Sequence, residues 1–329
     1  MSKIWDDFSA VDDFFDPQKK KMTKRWILLL PALSLCHWYL KCGGCTMCGF
    51  NGPTSGKQKF AWITKYFGGL ALHLLYWLGY WGIKNQNPEN MTIYNGGNFL
   101  NSGFNPIKAK AEIPLSLQKT ICRHVGQHPT IKKVFVESRP DFIKDETIAP
   151  LIKLLNGKTL QIGIGLESAD ETVRNSILNK GMSRLQFEQA IQTIRENGAQ
   201  SLAYVFLKPM QLSENEAIED AIKTIQYCFR VGVSEIALSC AFIQEGTVMH
   251  DLYQQGKYQP PNLWSILKVI KATAHLGPIR IGGFEDDPPP IAIPKSCPSC
   301  NDRIIKAIEQ YRQSHDLSLF DDLTCHCQD

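Results

Sequence analysis

The chain has no apolar run long enough to read as a membrane span. Its most apolar stretch, FGGLALHLLYWLGYWGI (Phe67 to Ile83), is short for a bilayer and is broken by His73 and four glycines, so we read it as a buried or interface helix. The start, MSKIWDDFSAVDDFFD, lacks the basic-then-apolar pattern of a secretory leader, and the expected location is the cytoplasm. Charge is sparse: 21% of residues are charged and the net is +4, which permits an anionic partner without demanding one. KKKMTKR (Lys19 to Arg25) is the only basic cluster and reads as a solvated edge. The eight histidines form no HxH or HExxH arrangement, which argues against a separate catalytic metal of that kind. We find no internal repeat, no acetyltransferase domain and no second RNA-binding module.

Cysteine, by contrast, is plentiful and unevenly placed. None of the eleven falls in residues 1–35, yet LCHWYLKCGGCTMCGF (Leu35 to Phe50) holds four. In a cytoplasmic chain such clusters bind metal or do redox chemistry more often than they form disulfides. The missing upstream set also disfavours sulfur insertion of the methylthiotransferase kind. Cys122, Cys228 and Cys240 stand alone in helix or strand patterns and read as small buried apolar residues.

At 43% apolar the chain can bury a large core, and its short apolar runs alternate with helical patterns. Trp26 to Cys36, Met91 to Gly97, Lys132 to Ser138, Leu160 to Ser168, Ser201 to Pro209 and Ser234 to Ile243 read as strands covered on both faces. Ser116 to Gln127, Glu171 to Gly181, Arg184 to Gly198 and Glu214 to Gly232 read as helices, with Gly181, Gly198 and Gly232 as C-terminal caps. Six such alternations imply a parallel sheet of right-handed units, an α/β fold built as a closed or partly open barrel. We divide the chain into an N-terminal extension (1–24), a barrel (25–285) and, after the proline-rich break EDDPPPIAIPKS, a cysteine-rich extension (286–329).

Working residues of such barrels lie at the C-terminal ends of strands. The first strand runs into Cys36, Cys42, Cys45 and Cys48. Zinc would use four thiolates, and a 4Fe-4S cluster with one open iron needs three. Spacing does not choose between them. Position does, because an open iron has a use at a barrel mouth and a closed structural zinc has none. Gly96 and Gly97 end the second strand, where absent Cβ atoms let a ligand approach the backbone. Glu137, then Glu167 and Ser168, end the third and fourth strands, and polar groups there are costly without partners. Arg139 reads equally as a substrate contact or a structural ion pair.

C-x8-C-x2-C with GGCTMCGF, followed in order by YNGGNFLN, VESRPDFI, GIGLESADETVRNSILNKG and EGTVMHDLYQQGKYQPPNLWS, resembles the radical S-adenosylmethionine superfamily. The branch is that of the Elongator catalytic subunit and the archaeosine synthase radical subunit, and the resemblance runs from Trp26 to the end. It implies a partial (β/α)6 barrel with a 4Fe-4S cluster on Cys36, Cys45 and Cys48. S-adenosylmethionine would chelate the fourth iron, be cleaved reductively to a 5'-deoxyadenosyl radical, and abstract hydrogen from a substrate. The implied cofactor contacts are Gly96 and Gly97 toward the methionyl amine, and Glu137, Glu167 and Ser168 toward the ribose and sulfonium. Lys180 stands where relatives often carry arginine, and Met47 where they place an aromatic on the adenine. Lys208 stands near the fifth strand end, where some relatives carry an acid. Family spacing makes Cys36 the first ligand and Cys42 a spare thiol.

The tail pairs Cys297 and Cys300 with Cys325 and Cys327 across a helical segment, a pattern for one structural zinc, with a second iron-sulfur cluster as the alternative. A one-electron reductant such as flavodoxin or ferredoxin is implied. The substrate is a tRNA base or, alternatively, a small molecule or peptide of a biosynthetic pathway; a non-catalytic zinc-binding protein is the reading outside enzymology. No single catalytic side chain is assigned.

Overall fold

Strand runs rich in β-branched and apolar residues, each followed by an amphipathic helix, can bury both sheet faces only by winding in one direction. The computed structural model describes residues 8–49, 57–103, 107, 109–284 and 289–327, with backbone alone for 57–63 and 65. The strands are β1 (Ser9–Asp16), β2 (Lys21–Leu29), β3 (Asn90–Tyr94), β4 (Lys133–Glu137), β5 (Thr159–Glu167), β6 (Gln200–Leu207), β7 (Glu235–Cys240) and β8 (Ile279–Ile281). The helices are α1 (His37–Cys42), α2 (Lys57–Ile83), α3 (Leu115–Gln127), α4 (Asp145–Leu155), α5 (Arg184–Glu196), α6 (Glu214–Arg230), α7 (Val248–Gln254), α8 (Leu263–Thr273) and α9 (Asn301–Ser314).

All eight strands form one sheet in chain order, with β2 to β8 parallel and β1 antiparallel to β2 at the edge. The fold is a curled α/β half-barrel, and the six expected strands are β2 to β7. β1 and the three-residue β8 add an edge on either side. β1 and the start of β2 occupy residues 9–24, and the boundary at 285/286 lies outside the described residues.

Alternate residues face opposite ways along each strand. Trp26, Leu28, Met91, Ile93, Val134, Val136, Ile162 and Ile164 are buried in the main core. Their neighbours Phe135, Leu202 and Ala237 form a separate group with Tyr94 and Tyr204 inside the curl. Room there is limited: a Cβ on Gly163 would come within 2.6 Å of the Phe135 ring. The two sheet edges approach each other around Phe14 of β1, whose ring takes the guanidinium of Arg25 (β2) and that of Arg280 (β8), each 4.5 Å from its centroid. Arg280 also pairs with the buried Glu235. α9 packs against β1, β2 and β8, and its Tyr311 hydroxyl donates to the Ile279 carbonyl at 3.0 Å.

Two local expectations change. β2 ends at Leu29, not Cys36, because Pro31 has no N–H to continue the ladder. The helix expected over Glu171 to Gly181 is one π-turn, Thr172–Ile177. There the fully buried Arg174 donates to the carbonyls of Met182 and Ser168, at 2.7 and 3.0 Å, drawing the chain back toward the strand end. The apolar stretch of α2 is buried on one face only. Leu72, Tyr76 and Ile83 are covered, and Tyr66, Phe67, Leu70, Leu74 and Trp81 are exposed, with a kink at Gly68. Among the described residues no helix is long and apolar enough to cross a membrane.

Candidate active site at the barrel mouth and a four-cysteine tail

Beyond β2 the chain turns into α1, with Cys36 at its N-cap and Gly43 in the left-handed conformation at its end. Cys45 and Cys48 follow. The loop is latched to the segment after β5: the Thr46 N–H donates to Leu178 O at 3.2 Å, Trp38 Nε1 to Asn179 O at 2.6 Å, and Asn179 Nδ2 to Gly44 O at 2.7 Å. Arg139 stacks on the Trp38 ring, pairs with Asp141 at 2.9 Å and donates to Lys180 O at 2.7 Å. The ion pair expected of Arg139 is thus present. Gly181 has φ 54°, and a Cβ there would lie 2.0 Å from Trp38. Gly181→Ala is therefore expected to destabilise the chain by about 1–3 kcal/mol and to unlatch the loop. Urea unfolding monitored at Trp38 checks this, and an unchanged midpoint would contradict the latch.

The ends of β3 and β5 meet this loop. Gly96 is left-handed (φ 56°), and a Cβ on Gly97 would lie 1.9 Å from Glu112 Oε2. Beside them Asn95 is only 2% exposed, yet neither side-chain amide atom has a hydrogen-bond partner. Glu167 sits at a register shift with φ 69° and pairs with Lys180 at 3.0 Å. Burial opposes the Lys180 charge, but Cys45 and Glu167 together hold its pKa above the ordinary value. Burial pushes the Cys45 thiol up, against the pull of Lys180 and Arg139. Cys45, Glu167 and Lys180 thus form one electrostatic group.

Other expected residues lie apart from it. Glu137 points into the curl and accepts from the Tyr204 hydroxyl. Ser168 is fully buried, donating to Asp220 at 2.7 Å and accepting from Asp170 N at 3.0 Å. Met47 packs on the apolar group of Ile177, Leu178 and Phe206. Lys208 folds back to Leu212 O at 2.9 Å and over the Tyr258 ring. Cys42 is exposed and donates to Trp38 O at 3.2 Å. Sequence reasoning missed Asn95, Asn98, Glu112 and Tyr204. The spacing of Asn95, Asn98 and Asn101 in YNGGNFLN was the available signal, and Glu112 had none.

The tail is a second, distinct centre. The sulfurs of Cys297, Cys300, Cys325 and Cys327 all lie within 4.8 Å of one another, with neighbours 3.4 to 3.6 Å apart. A tetrahedral ion with metal-sulfur bonds of about 2.3 Å sets sulfur-sulfur edges of roughly 3.8 Å. A 4Fe-4S cube, which holds each thiolate on a separate iron, spreads them further. The donor set therefore fits one metal ion. Among the described residues no other group of three or more metal-capable side chains is drawn this close.

No family model matches the chain. Archaeosine synthase subunit beta of Methanosarcina acetivorans is 26% identical over 308 residues, covering 89% of this chain and 80% of that protein. The subunit of the same name from Thermococcus kodakarensis is 26% identical over 310 residues, covering 92% and 89%. Two solved structures share the fold: Elp3 of the archaeon Methanocaldococcus infernus (TM-score 0.50, 13% identity) and methylornithine synthase (TM-score 0.50, 11% identity). Each match covers 77% of this chain but only 61% and 63% of the solved chains. In sequence along most of its length the chain resembles archaeosine synthase subunit beta, and its half-barrel shares the fold of Elp3 and methylornithine synthase.

Proposed function

We propose that the chain is a radical S-adenosylmethionine enzyme acting on a modified base of tRNA, as a subunit beside a second protein. The observation that carries it is the convergence at one barrel mouth of a latched three-cysteine loop, a Gly96-Gly97 turn and the unpartnered amide of Asn95. These residues fit the implied cofactors: three thiolates leave one iron of a 4Fe-4S cluster open, and the Asn95 amide offers a donor and an acceptor where polar partners are lacking. Bound there, the cluster and S-adenosylmethionine would supply one-electron cleavage of the sulfonium and a carbon radical that abstracts hydrogen.

The chain's own part is to hold and orient. Cys36, Cys45 and Cys48 are the cluster ligands in this reading, and Gly96, Gly97 and Asn95 receive the amino-acid end of S-adenosylmethionine. Lys180, kept charged by Glu167, faces its carboxylate; Glu137 serves the ribose side and Met47 the adenine, while Ser168, implied by the resemblance, is instead held inward on Asp220. The tail holds structural zinc. The tRNA assignment rests on the archaeosine synthase relatives, the reductant is a flavodoxin- or ferredoxin-type protein, and the location is the cytoplasm.

Anaerobically reconstituted protein with dithionite is expected to release 5'-deoxyadenosine and methionine slowly without substrate, and faster with tRNA carrying the precursor base. Methylthioadenosine as the sole nucleoside product would overturn hydrogen abstraction. Stimulation by a small molecule or peptide and not by tRNA would overturn the substrate.

A further inference from the structure

Glu112 has no exposed surface and belongs to no motif, yet its carboxylate collects donors from two segments far apart in the chain. Oε2 accepts from the Asn98 backbone N–H at 2.6 Å. Oε1 accepts from the side-chain amides of Asn98 at 2.6 Å and Asn101 at 3.2 Å, and from the backbone N–H of His37 at 3.2 Å. His37 directly follows Cys36, and Asn98 directly follows the Gly96-Gly97 turn. The backbone repeats the link, since Leu33 N donates to Glu112 O at 2.8 Å and Glu112 N to Asn101 O at 2.9 Å.

Asn98 carries the connection to sulfur. It too has no exposed surface; its amide nitrogen lies 3.8 Å from Cys36 Sγ, and its Oδ1 accepts from Arg139 N at 2.9 Å, just beyond β4. A carboxylate buried this deeply is strongly disfavoured unless donors converge on it. Here they do, and each belongs to the cysteine loop or to the chain just after the glycine turn. Burial raises the Glu112 pKa, while the hydrogen bonds from Asn98, Asn101 and His37 oppose that rise. A simple loop staple would need the Glu112 contacts but would not need the Asn98 amide turned toward a thiolate.

We infer that Glu112 and Asn98 are positioning residues. Glu112 sets the spacing between Cys36 and the glycine turn, and it orients the Asn98 amide so that its N–H donates to the Cys36 sulfur. The inference rests on the cluster assignment proposed above. An N–H directed at a ligand sulfur stabilises the more negative, reduced cluster, so removing it lowers the reduction potential. Loss of such an outer contact also weakens metal retention, typically about 10- to 100-fold.

The test uses the full chain, reconstituted anaerobically with iron and sulfide, as wild type, Asn98→Ala and Glu112→Gln. Iron and sulfide content, the midpoint potential from an EPR-monitored redox titration, the rate of iron loss to a chelator and the melting temperature of the metal-free chain are measured. Both variants are expected to lose iron about ten-fold faster than wild type, and Asn98→Ala to show a more negative potential. Should one variant fail to fold, the other carries the comparison. A lowered melting temperature with potential, spectrum and iron loss unchanged would make both residues merely structural and overturn the inference while leaving the cluster assignment standing. Wild-type protein that takes up no iron and sulfide would instead overturn the assignment, and the inference with it.

Discussion

Cys45→Ala is expected to strip the chain of its iron-sulfur cluster and to reduce 5'-deoxyadenosine release to background, whereas Cys42→Ala is expected to leave both intact. With three thiolates for a four-iron cluster there is no spare ligand, so losing one removes an iron site outright. The four cysteines of the loop are not equivalent. Cys36 caps the start of α1 beside Asn98, and Cys45 lies half-buried in the electrostatic group of Lys180 and Glu167. Cys42 ends α1 on the exposed side, its thiol on the Trp38 carbonyl. The check is iron and sulfide content with the visible spectrum, alongside nucleoside release. If Cys42→Ala removes the cluster and Cys36→Ala does not, the choice of first ligand is wrong. Colourless protein with zinc in the loop would end the radical assignment.

The second large effect is expected in the tail. In the zinc reading, Cys300→Ser should yield protein with the mouth cluster intact, about one zinc fewer and faster proteolysis after Gly283, because four thiolates this close can hold one ion. Cys300 is 1% exposed and caps the start of α9, so its loss loosens the helix at its root. Metal binding at such sites supplies much of the local folding free energy, on the order of 10 kcal/mol in small zinc modules. The consequence should reach the barrel. α9 packs across β1, β2 and β8, and Tyr311 and Arg312 donate to the carbonyls of Ile279 and Ile281 on the last strand. Hydrogen exchange of β8 should rise with zinc loss. Loss of iron and sulfide equivalent to a second cluster would sink the zinc reading.

Some of this was legible in the residues alone. The six strands and their parallel order followed from apolar periodicity, a property each segment carries by itself, whereas Gly181, read as a helix cap, owes its role to the Trp38 ring packed against it. The four tail cysteines announced a metal centre by number and pairing. What sequence could not supply were relations between segments. That Arg139 serves Trp38 and Asp141, that Ser168 turns inward to Asp220, and that Lys208 folds back to the Leu212 carbonyl depended on which groups burial placed within reach. The three-residue β8 is too short for periodicity to mark, and it is held by α9, whose Tyr311 donates to the Ile279 carbonyl, and by its own Arg280 on the Phe14 ring of β1. The closeness of the four tail sulfurs is a distance between segments, which no spacing in a chain encodes. Glu112 shows the limit most plainly. It is an ordinary glutamate in AKAEIP until folding withdraws it from water, and from then on its carboxyl is held by donors from the cysteine loop and from the chain beyond β3.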